Sequence, residues 1–422
     1  MYKDIIKDLL IKNEKKRILL YGNEGIGKTY FSNTLFFDIG GGMIIINFRN
    51  DDTSRIISAL KSGMDITEAL VSCYGLSEEM QGITFILDEF LETDHINGIT
   101  ELMTKKKPEY KYKGIRIIYI TSDIAWAEEN KARFDVTVKA GKVSFTEFLQ
   151  AMGESFYAQV VDAHMTGKKS MPALIHNELV ELYYQYISTG GYPRAIAELA
   201  KEDPVVFPED LAAERYKTMI GNINIREPNC INAYNKLKII NTIPECAFNS
   251  KFIISKTGRR HIDKQSLENN IEDLVQDGIL IKIPRLGSDS YSLALRDDAI
   301  YRYLLIKNSF ILNMNEEKIK DLVIENHIRN VLHDIGVGSY TWSGKNRFRI
   351  NVLIESAGKF YPIKVSCNKS KRKVKYDEFY KEYINCMSVP IQVTESSFNE
   401  SKDSIYLPIY GCEYLKTIIP QL

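Results

Sequence analysis

Gly22-Asn23-Glu24-Gly25-Ile26-Gly27-Lys28-Thr29 constrains this chain more than any other stretch, because it fits the pattern G-x-x-x-x-G-K-[ST]. The flanks suit the pattern. Arg17–Tyr21 before it reads as a short buried strand, and Tyr30–Phe36 after it as the first turns of a helix. Glycines at Gly22, Gly25 and Gly27 let the backbone curl so that successive N–H groups, from Gly22 through Tyr30, face phosphate oxygens. The helix N-terminus adds its positive dipole end. Lys28 is expected at the β- and γ-phosphates, and the Thr29 hydroxyl at Mg²⁺.

A second motif follows. Ile83–Asp88 is an apolar run closed by Asp88 and Glu89. It reads as a buried parallel strand carrying carboxylates at its C-terminal edge, where doubly wound sheets bind ligands. Asp88 is expected to hold Mg²⁺ through water, and Glu89 to polarise an attacking water. The two motifs together predict ATP with Mg²⁺ as ligands, and hydrolysis rather than binding alone. Two more apolar stretches complete a core. Met43–Phe48 is an extra strand between the two motifs, and Arg116–Ile120 leads into Thr121-Ser122-Asp123. An inserted strand with a polar strand tip resembles the additional-strand ATPases, which include the AAA+ group. The resemblance implies that a residue at this tip senses the γ-phosphate, Ser122 first and Thr121 second. The alternative is that these residues cap the next turn.

Further along, Ser144-Phe-Thr-Glu-Phe-Leu149 reads as a helix start with Ser144 as N-cap and Glu147 three residues on. Helical patterning runs on to about Leu199, broken at Thr189–Ala195, where Gly190 and Gly191 precede Pro193. The S-F-x-E-F-L stretch, followed by Gly190-Gly191-Tyr192-Pro193, resembles a family of prokaryotic AAA+-type ATPases. That resemblance implies an α/β P-loop core at residues 1–142 and a helical lid at 143–230. A winged helix-turn-helix at 231–300 and a restriction-endonuclease-like α/β domain at 301–422 complete it. It also implies a γ-phosphate contact, in cis or in trans, for Arg133, and a lid contact for Arg194. A trans contact would make self-association part of the mechanism.

The middle of the chain fits a winged helix by its own pattern. Ala233–Ile243 and Gln265–Val275 read as helices, the second with Leu267, Ile271, Leu274 and Val275 on one face; Ile279–Ile283 and Ser290–Leu293 read as a β-wing. Lys251, Lys256, Arg259, Arg260 and Lys264 form a basic edge suited to phosphates. Glu268, Glu272 and Asp273 make the second helix a poor major-groove reader, so DNA binding and a protein-contacting spacer both stand.

Glu325–Leu332 opens the last segment as a helix, followed by strands at Ser339–Trp342, Phe348–Ile354 and Phe360–Ser366. The nuclease resemblance calls for an Asp on the second strand and Glu-x-Lys on the third. Here those positions read Asn351, Lys364 and Ser366, with Glu325 retained. A cation where a dication should bind is electrostatically wrong, so the expectation is a nuclease-like fold without nuclease chemistry. Lys364 instead joins Lys369, Lys371, Arg372, Lys373 and Lys375, beside Tyr376 and Tyr380, in a basic surface that either binds nucleic acid or is merely solvated. Lys105, Lys106 and Lys107 with Tyr110–Lys113 form another basic loop.

Composition adds exclusions. Lys plus Arg and Asp plus Glu both number 55, so no global charge draws the chain to nucleic acid or to a membrane. No apolar run approaches the ~20 residues that span a bilayer. Met1–Leu10 alternates charged and apolar residues, as a short amphipathic helix and not a secretory signal. The six cysteines lack C-x-x-C spacing, which suits free thiols in the cytoplasm rather than zinc ligands. Other readings of the chain are a non-hydrolysing nucleotide-binding scaffold and an active Mg²⁺ nuclease.

Overall fold

Every residue of β1 (Arg17–Tyr21) and of β3 (Ile83–Asp88) is buried. Strands without a solvent face belong to the interior of a parallel sheet covered on both sides. A computed structural model places them so. It describes residues 6, 17–31, 42–77, 82–91, 98–105, 114–201, 206–246, 264–344, 349–367 and 376–419, the side chains of Arg226, Glu245, Cys246 and Lys264 excepted. The chain divides into two compact units, Met1–Lys142 and Val143–Leu422.

The first unit is built on a five-stranded sheet in the order β2-β3-β4-β1-β5, with β2 at Gly42–Asn47, β4 at Ile115–Thr121 and β5 at Val136–Lys139. All four pairings are parallel. β4 therefore lies between the strand that leads into the glycine loop and the strand that ends in Asp88, and β2 is added outside β3. This sheet fits a P-loop NTPase core. The register aligns the strand ends: Tyr21 opposite Thr121, Asn47 opposite Asp88, and Tyr21 opposite Lys139. Five chain segments thus leave the sheet at one edge, where the candidate residues gather.

Arg17 begins β1 and is buried. Its guanidinium donates to the carbonyls of Met103 and Lys105 and to Tyr119 Oη, all at 3.0–3.1 Å. It also lies over the Tyr119 and Phe134 rings. Its two terminal nitrogens are thereby hydrogen-bonded inside a largely apolar layer.

The second unit opens with helices at Phe145–Ala151, Ser155–Thr166, Ala173–Thr189, Pro193–Leu199 and Pro208–Arg226. Ser144 caps the first through a reciprocal box: Glu147 N donates to Ser144 Oγ, and Ser144 N to Glu147 Oε2. The break at Gly190 and Gly191 has left-handed backbone at both, and Pro193 opens the next helix. Helices Cys230–Cys246 and Lys264–Gln276 precede an antiparallel hairpin of β6 (Leu280–Pro284) and β7 (Tyr291–Leu295). A six-stranded mixed sheet follows, in the order β12-β13-β11-β10-β9-β8, with β12 at Asn399–Glu400. β8 (Ser339–Ser343), β9 (Arg349–Ser356) and β10 (Lys359–Ser366) are antiparallel neighbours, while β10, β11 (Ile391–Thr394) and β13 (Ile405–Pro408) run parallel.

One apolar core draws on the helices, the hairpin and strands β9, β10, β11 and β13, from Phe145 to Ile419. Buried polar contacts cross it. Glu413 accepts the Phe145 N–H at 3.0 Å and the Tyr186 hydroxyl at 2.9 Å. Asp298, buried, accepts from Asn326 Nδ2 and Asn330 Nδ2 at 2.7 Å each and pairs with His327 Nδ1 at 3.0 Å. Among the described residues no helix is long and apolar enough to cross a membrane.

Candidate active site

The glycine loop leaves β1 and turns at once. Gly22 has φ +152°, and a Cβ there would lie 2.5 Å from Ala140 O and 2.7 Å from Ile26 Cδ1. Only glycine lets the loop pass that close to the end of β5. Gly27 has φ +88°, and helix begins at Lys28. Ile26 is buried, anchoring the loop from below, while Tyr30 is 63% exposed on the first helical turn.

Two polar chains meet at the edge. In the first, Lys28 Nζ donates to Gly22 O at 2.8 Å, to Asn23 O at 3.0 Å and to Ser122 Oγ at 3.0 Å. Ser122 Oγ in turn donates to Glu89 Oε1 at 2.6 Å. Ser122 thus links the lysine of one motif to the second carboxylate of the other. In the second chain, Thr29 Oγ1 donates to Asp88 Oδ2 at 2.9 Å, and Asn47 Nδ2 to the same oxygen at 3.2 Å. Glu89 sits in left-handed backbone at φ +50°, a conformation that costs a non-glycine residue about 1 kcal/mol or more. That turn separates the directions of two consecutive carboxylates, sending Asp88 toward Thr29 and Glu89 toward Ser122.

Electrostatics follow from burial. Burial holds the Lys28 ammonium below its usual lysine range, against the pull of Glu89, Asp88 and Glu24. Burial pushes the Asp88 carboxyl up; the neighbouring Glu89 charge works in the same direction, and the Thr29 hydrogen bond against it. Among the described residues, Asp88 Oδ1 is buried without a hydrogen-bond partner. An orphaned carboxylate oxygen beside a threonine hydroxyl is the donor set a hard dication takes when phosphate and water supply the remainder. The residues therefore fit Mg²⁺, with Asp88 and Thr29 as the groups that would hold it.

The other expected residues fall elsewhere. Thr121 Oγ1 accepts from Asp123 N at 3.0 Å and caps the turn, so of the two strand-tip residues Ser122 is the one facing Lys28 and Glu89. Arg133 does not join the site, and its proposed contact within the same chain is corrected. Arg133 Nη1 donates to Thr104 Oγ1 at 3.0 Å, and the segment after it enters β5 beside the start of β1, where Asp135 N meets Arg17 O. The glycine loop leaves the other end of β1, five strand residues or about 16 Å away. Arg194, in the second unit, pairs with Glu214 at 3.0 Å on an exposed surface.

Two contributors escaped the sequence reading. Asn47 reaches Asp88 because β2 lies beside β3 in register. Arg49, two residues on, pairs with Glu24 of the glycine loop at 3.1 Å. Both contacts bridge more than twenty residues, and the only prior signal was the polar end of an otherwise apolar strand.

In the second unit, Glu325 and Asn351, which the resemblance marked, are bonded to each other and to Arg329. Asn351 Nδ2 donates to Glu325 Oε2 at 2.9 Å, and Arg329 donates to Glu325 Oε1 at 2.9 Å and to Asn351 O at 3.0 Å. Among the described residues no group of three or more His, Cys, Asp or Glu side chains gathers to hold a metal. Cys73, Cys230, Cys367, Cys386 and Cys412 are free thiols. The basic residues singled out as nucleic-acid contacts lie outside the described residues: Lys251, Lys256, Arg259 and Arg260, then Lys369, Lys371, Arg372, Lys373 and Lys375, and the loop 106–113. So does the side chain of Lys264, and so does Met1–Leu10 apart from Ile6.

No protein-family model and no curated protein matches this chain. Among solved structures it is similar to the ORC2 protein of Aeropyrum pernix, in its ADPNP–ADP complexes. The identity is 12% and the TM-score 0.43, over 74% of this chain and 93% of that one. It is similar at 11% identity to a Walker-type ATPase of Pyrococcus abyssi, with TM-score 0.44 over 72% and 94%. The RuvB Holliday junction branch migration motor of Thermotoga maritima follows at 12% identity, with TM-score 0.29 over 74% and 94%. At these scores the likenesses carry nothing about chemistry, which rests on the side chains described above.

Proposed function

We propose that this protein binds ATP with Mg²⁺ at the edge of the five-stranded sheet and hydrolyses it. The observation that carries the reading is the pair of polar chains, Lys28–Ser122–Glu89 and Thr29–Asp88–Asn47, joining two motifs that lie sixty residues apart in sequence. Bound Mg²⁺ would supply charge neutralisation at the β- and γ-phosphate oxygens. The protein supplies the rest. Loop amides from Gly22 to Tyr30 and the Lys28 ammonium hold the polyphosphate. Asp88 and Thr29 are the groups that would hold the metal. Glu89 accepts a hydrogen bond from the attacking water and takes its proton as the new P–O bond forms and ADP leaves. Ser122 is a positioning residue: its hydroxyl donates to Glu89 and accepts from Lys28, so it couples the base to the phosphate-binding cation.

Hydrolysis suits a switch, in which the nucleotide state changes what the second unit binds. The family resemblance and the helix–helix–hairpin order at residues 230–295 support a winged helix there. The order of three antiparallel strands continued by parallel β11 and β13 supports a nuclease-like fold after it. Arg329, lodged between Glu325 and Asn351, supports a fold without nuclease chemistry. DNA contact through Arg259, Arg260, Lys371, Arg372 and Lys373, or contact with a partner protein, is the output this reading expects. Arg133 would act only in trans, through self-association. The cytoplasm is the compartment it expects.

The test is ATP turnover by the purified chain, with and without duplex and single-stranded DNA, beside Lys28→Ala and Glu89→Gln. Turnover lost in both variants supports the reading. Bound ATP with no turnover in the wild type points instead to a nucleotide-binding scaffold.

A further inference from the structure

We propose that Arg49 is a phosphate-contacting residue: on binding of a nucleoside triphosphate it exchanges its ion pair with Glu24 for the terminal phosphate, and the turn that carries it links that phosphate to Asp88. This rests on the nucleotide reading above.

Arg49 lies two residues beyond the end of β2, whose last residue Asn47 stands in register with Asp88. The turn is locally determined. Asn47 Oδ1 accepts the Arg49 N–H at 3.0 Å, and Asp51 Oδ2 accepts the Asn47 N–H at 2.7 Å. The Asn47 side chain is thereby oriented so that its other end, Nδ2, donates to Asp88 Oδ2. One amide connects the arginine's backbone to the carboxylate expected to hold the metal.

The guanidinium extends from this turn to Glu24 Oε1 at 3.1 Å, on the glycine loop itself. Their side chains are 34% and 42% exposed, and a pair that open to water contributes about 0–1 kcal/mol. It is easily exchanged. Arg49 also lies close enough to Lys28 for its charge to disfavour the ammonium there.

Asp51 joins Glu24, Asp88 and Glu89 at this edge, so carboxylates outnumber the cations Lys28 and Arg49 there. Arg49 leaves Glu24 only for a stronger anion. A triphosphate offers Arg49 a doubly charged terminal group whose oxygens match the planar guanidinium fork better than an exposed carboxylate does. A diphosphate ends one phosphate short of that position. The arginine is therefore a discriminator of triphosphate from diphosphate, built on the added strand β2 and not on either sequence motif.

The experiment titrates the full-length chain, in Mg²⁺, with fluorescent N-methylanthraniloyl ATP and ADP. Wild type, Arg49→Ala, Arg49→Lys, Glu24→Gln and Lys28→Ala are compared. Arg49→Ala is expected to weaken ATP about tenfold, the scale of one charge-assisted hydrogen bond, while ADP shifts by about twofold at most. Arg49→Lys is expected to recover part of the loss, and Glu24→Gln to leave ATP at least as tight as wild type. Equal losses for ATP and ADP in Arg49→Ala and Glu24→Gln alike would make the ion pair a structural brace and overturn the proposal. No change in Arg49→Ala would reduce it to a surface bridge and overturn it equally. A wild type that binds neither nucleotide, indistinguishable from Lys28→Ala, overturns the nucleotide reading and this inference with it.

Discussion

Ser122 and Thr121 stand side by side, and one bond each divides their roles. Ser122 Oγ lies between Lys28 and Glu89, whereas Thr121 Oγ1 caps Asp123 N. Ser122→Ala should lower turnover about tenfold, since a positioning hydrogen bond is lost while the base remains. Thr121→Ala should leave turnover within about twofold and cost stability, about 1 kcal/mol for one buried capping bond. Turnover and a denaturant melt on both variants check the division. Glu89→Gln should keep ATP bound and slow turnover about a hundredfold or more, the usual contribution of a general base.

At the scale of elements, the sheet edge decides what a linear reading finds. Contiguous motifs were legible: Gly22–Thr29 and Asp88-Glu89 stand where their spacing predicts, and the strands differ from expectation by a residue or two. Ser144 and Glu147 form the expected capping box because both partners lie within one helical turn. Asn47 and Arg49 were not legible, because their partners Asp88 and Glu24 reach them only through strand pairing. The helix expected from Glu325 begins nine residues earlier, at Glu316, because Asn315 caps it through the Lys318 N–H, a signal passed over. The resemblance likewise marked Glu325, Asn351 and Lys364, but not Arg329, which donates to both Glu325 and the Asn351 carbonyl. The loop itself yields a direct prediction. Gly22→Ala sets a Cβ 2.5 Å from Ala140 O, in a backbone region only glycine favours. It should cost about 2 kcal/mol or more and abolish nucleotide binding, as read by a thermal melt and a titration.

For the whole molecule, the second unit carries its polar interior as a specification of its packing. Asp298 accepts from three buried side chains on the helix Glu316–Asp334. Removing the carboxylate takes an acceptor from all three in a buried setting, so Asp298→Ala should cost about 3 kcal/mol in a denaturant melt. Nucleotide binding in the first unit should act by mass action. At a hundredfold excess over Kd, ATP with Mg²⁺ should add about 2.7 kcal/mol of stability to that unit, and none in Lys28→Ala. The central claim is hydrolysis at the edge where Lys28, Ser122, Glu89, Thr29 and Asp88 meet. It is tested most directly by phosphate release from ATP and Mg²⁺ by the full chain, with Lys28→Ala and Glu89→Gln beside it. The account predicts release by the wild type, loss of both binding and release in Lys28→Ala, and retained binding without release in Glu89→Gln. Release that persists undiminished in Glu89→Gln, or in Lys28→Ala, would contradict it.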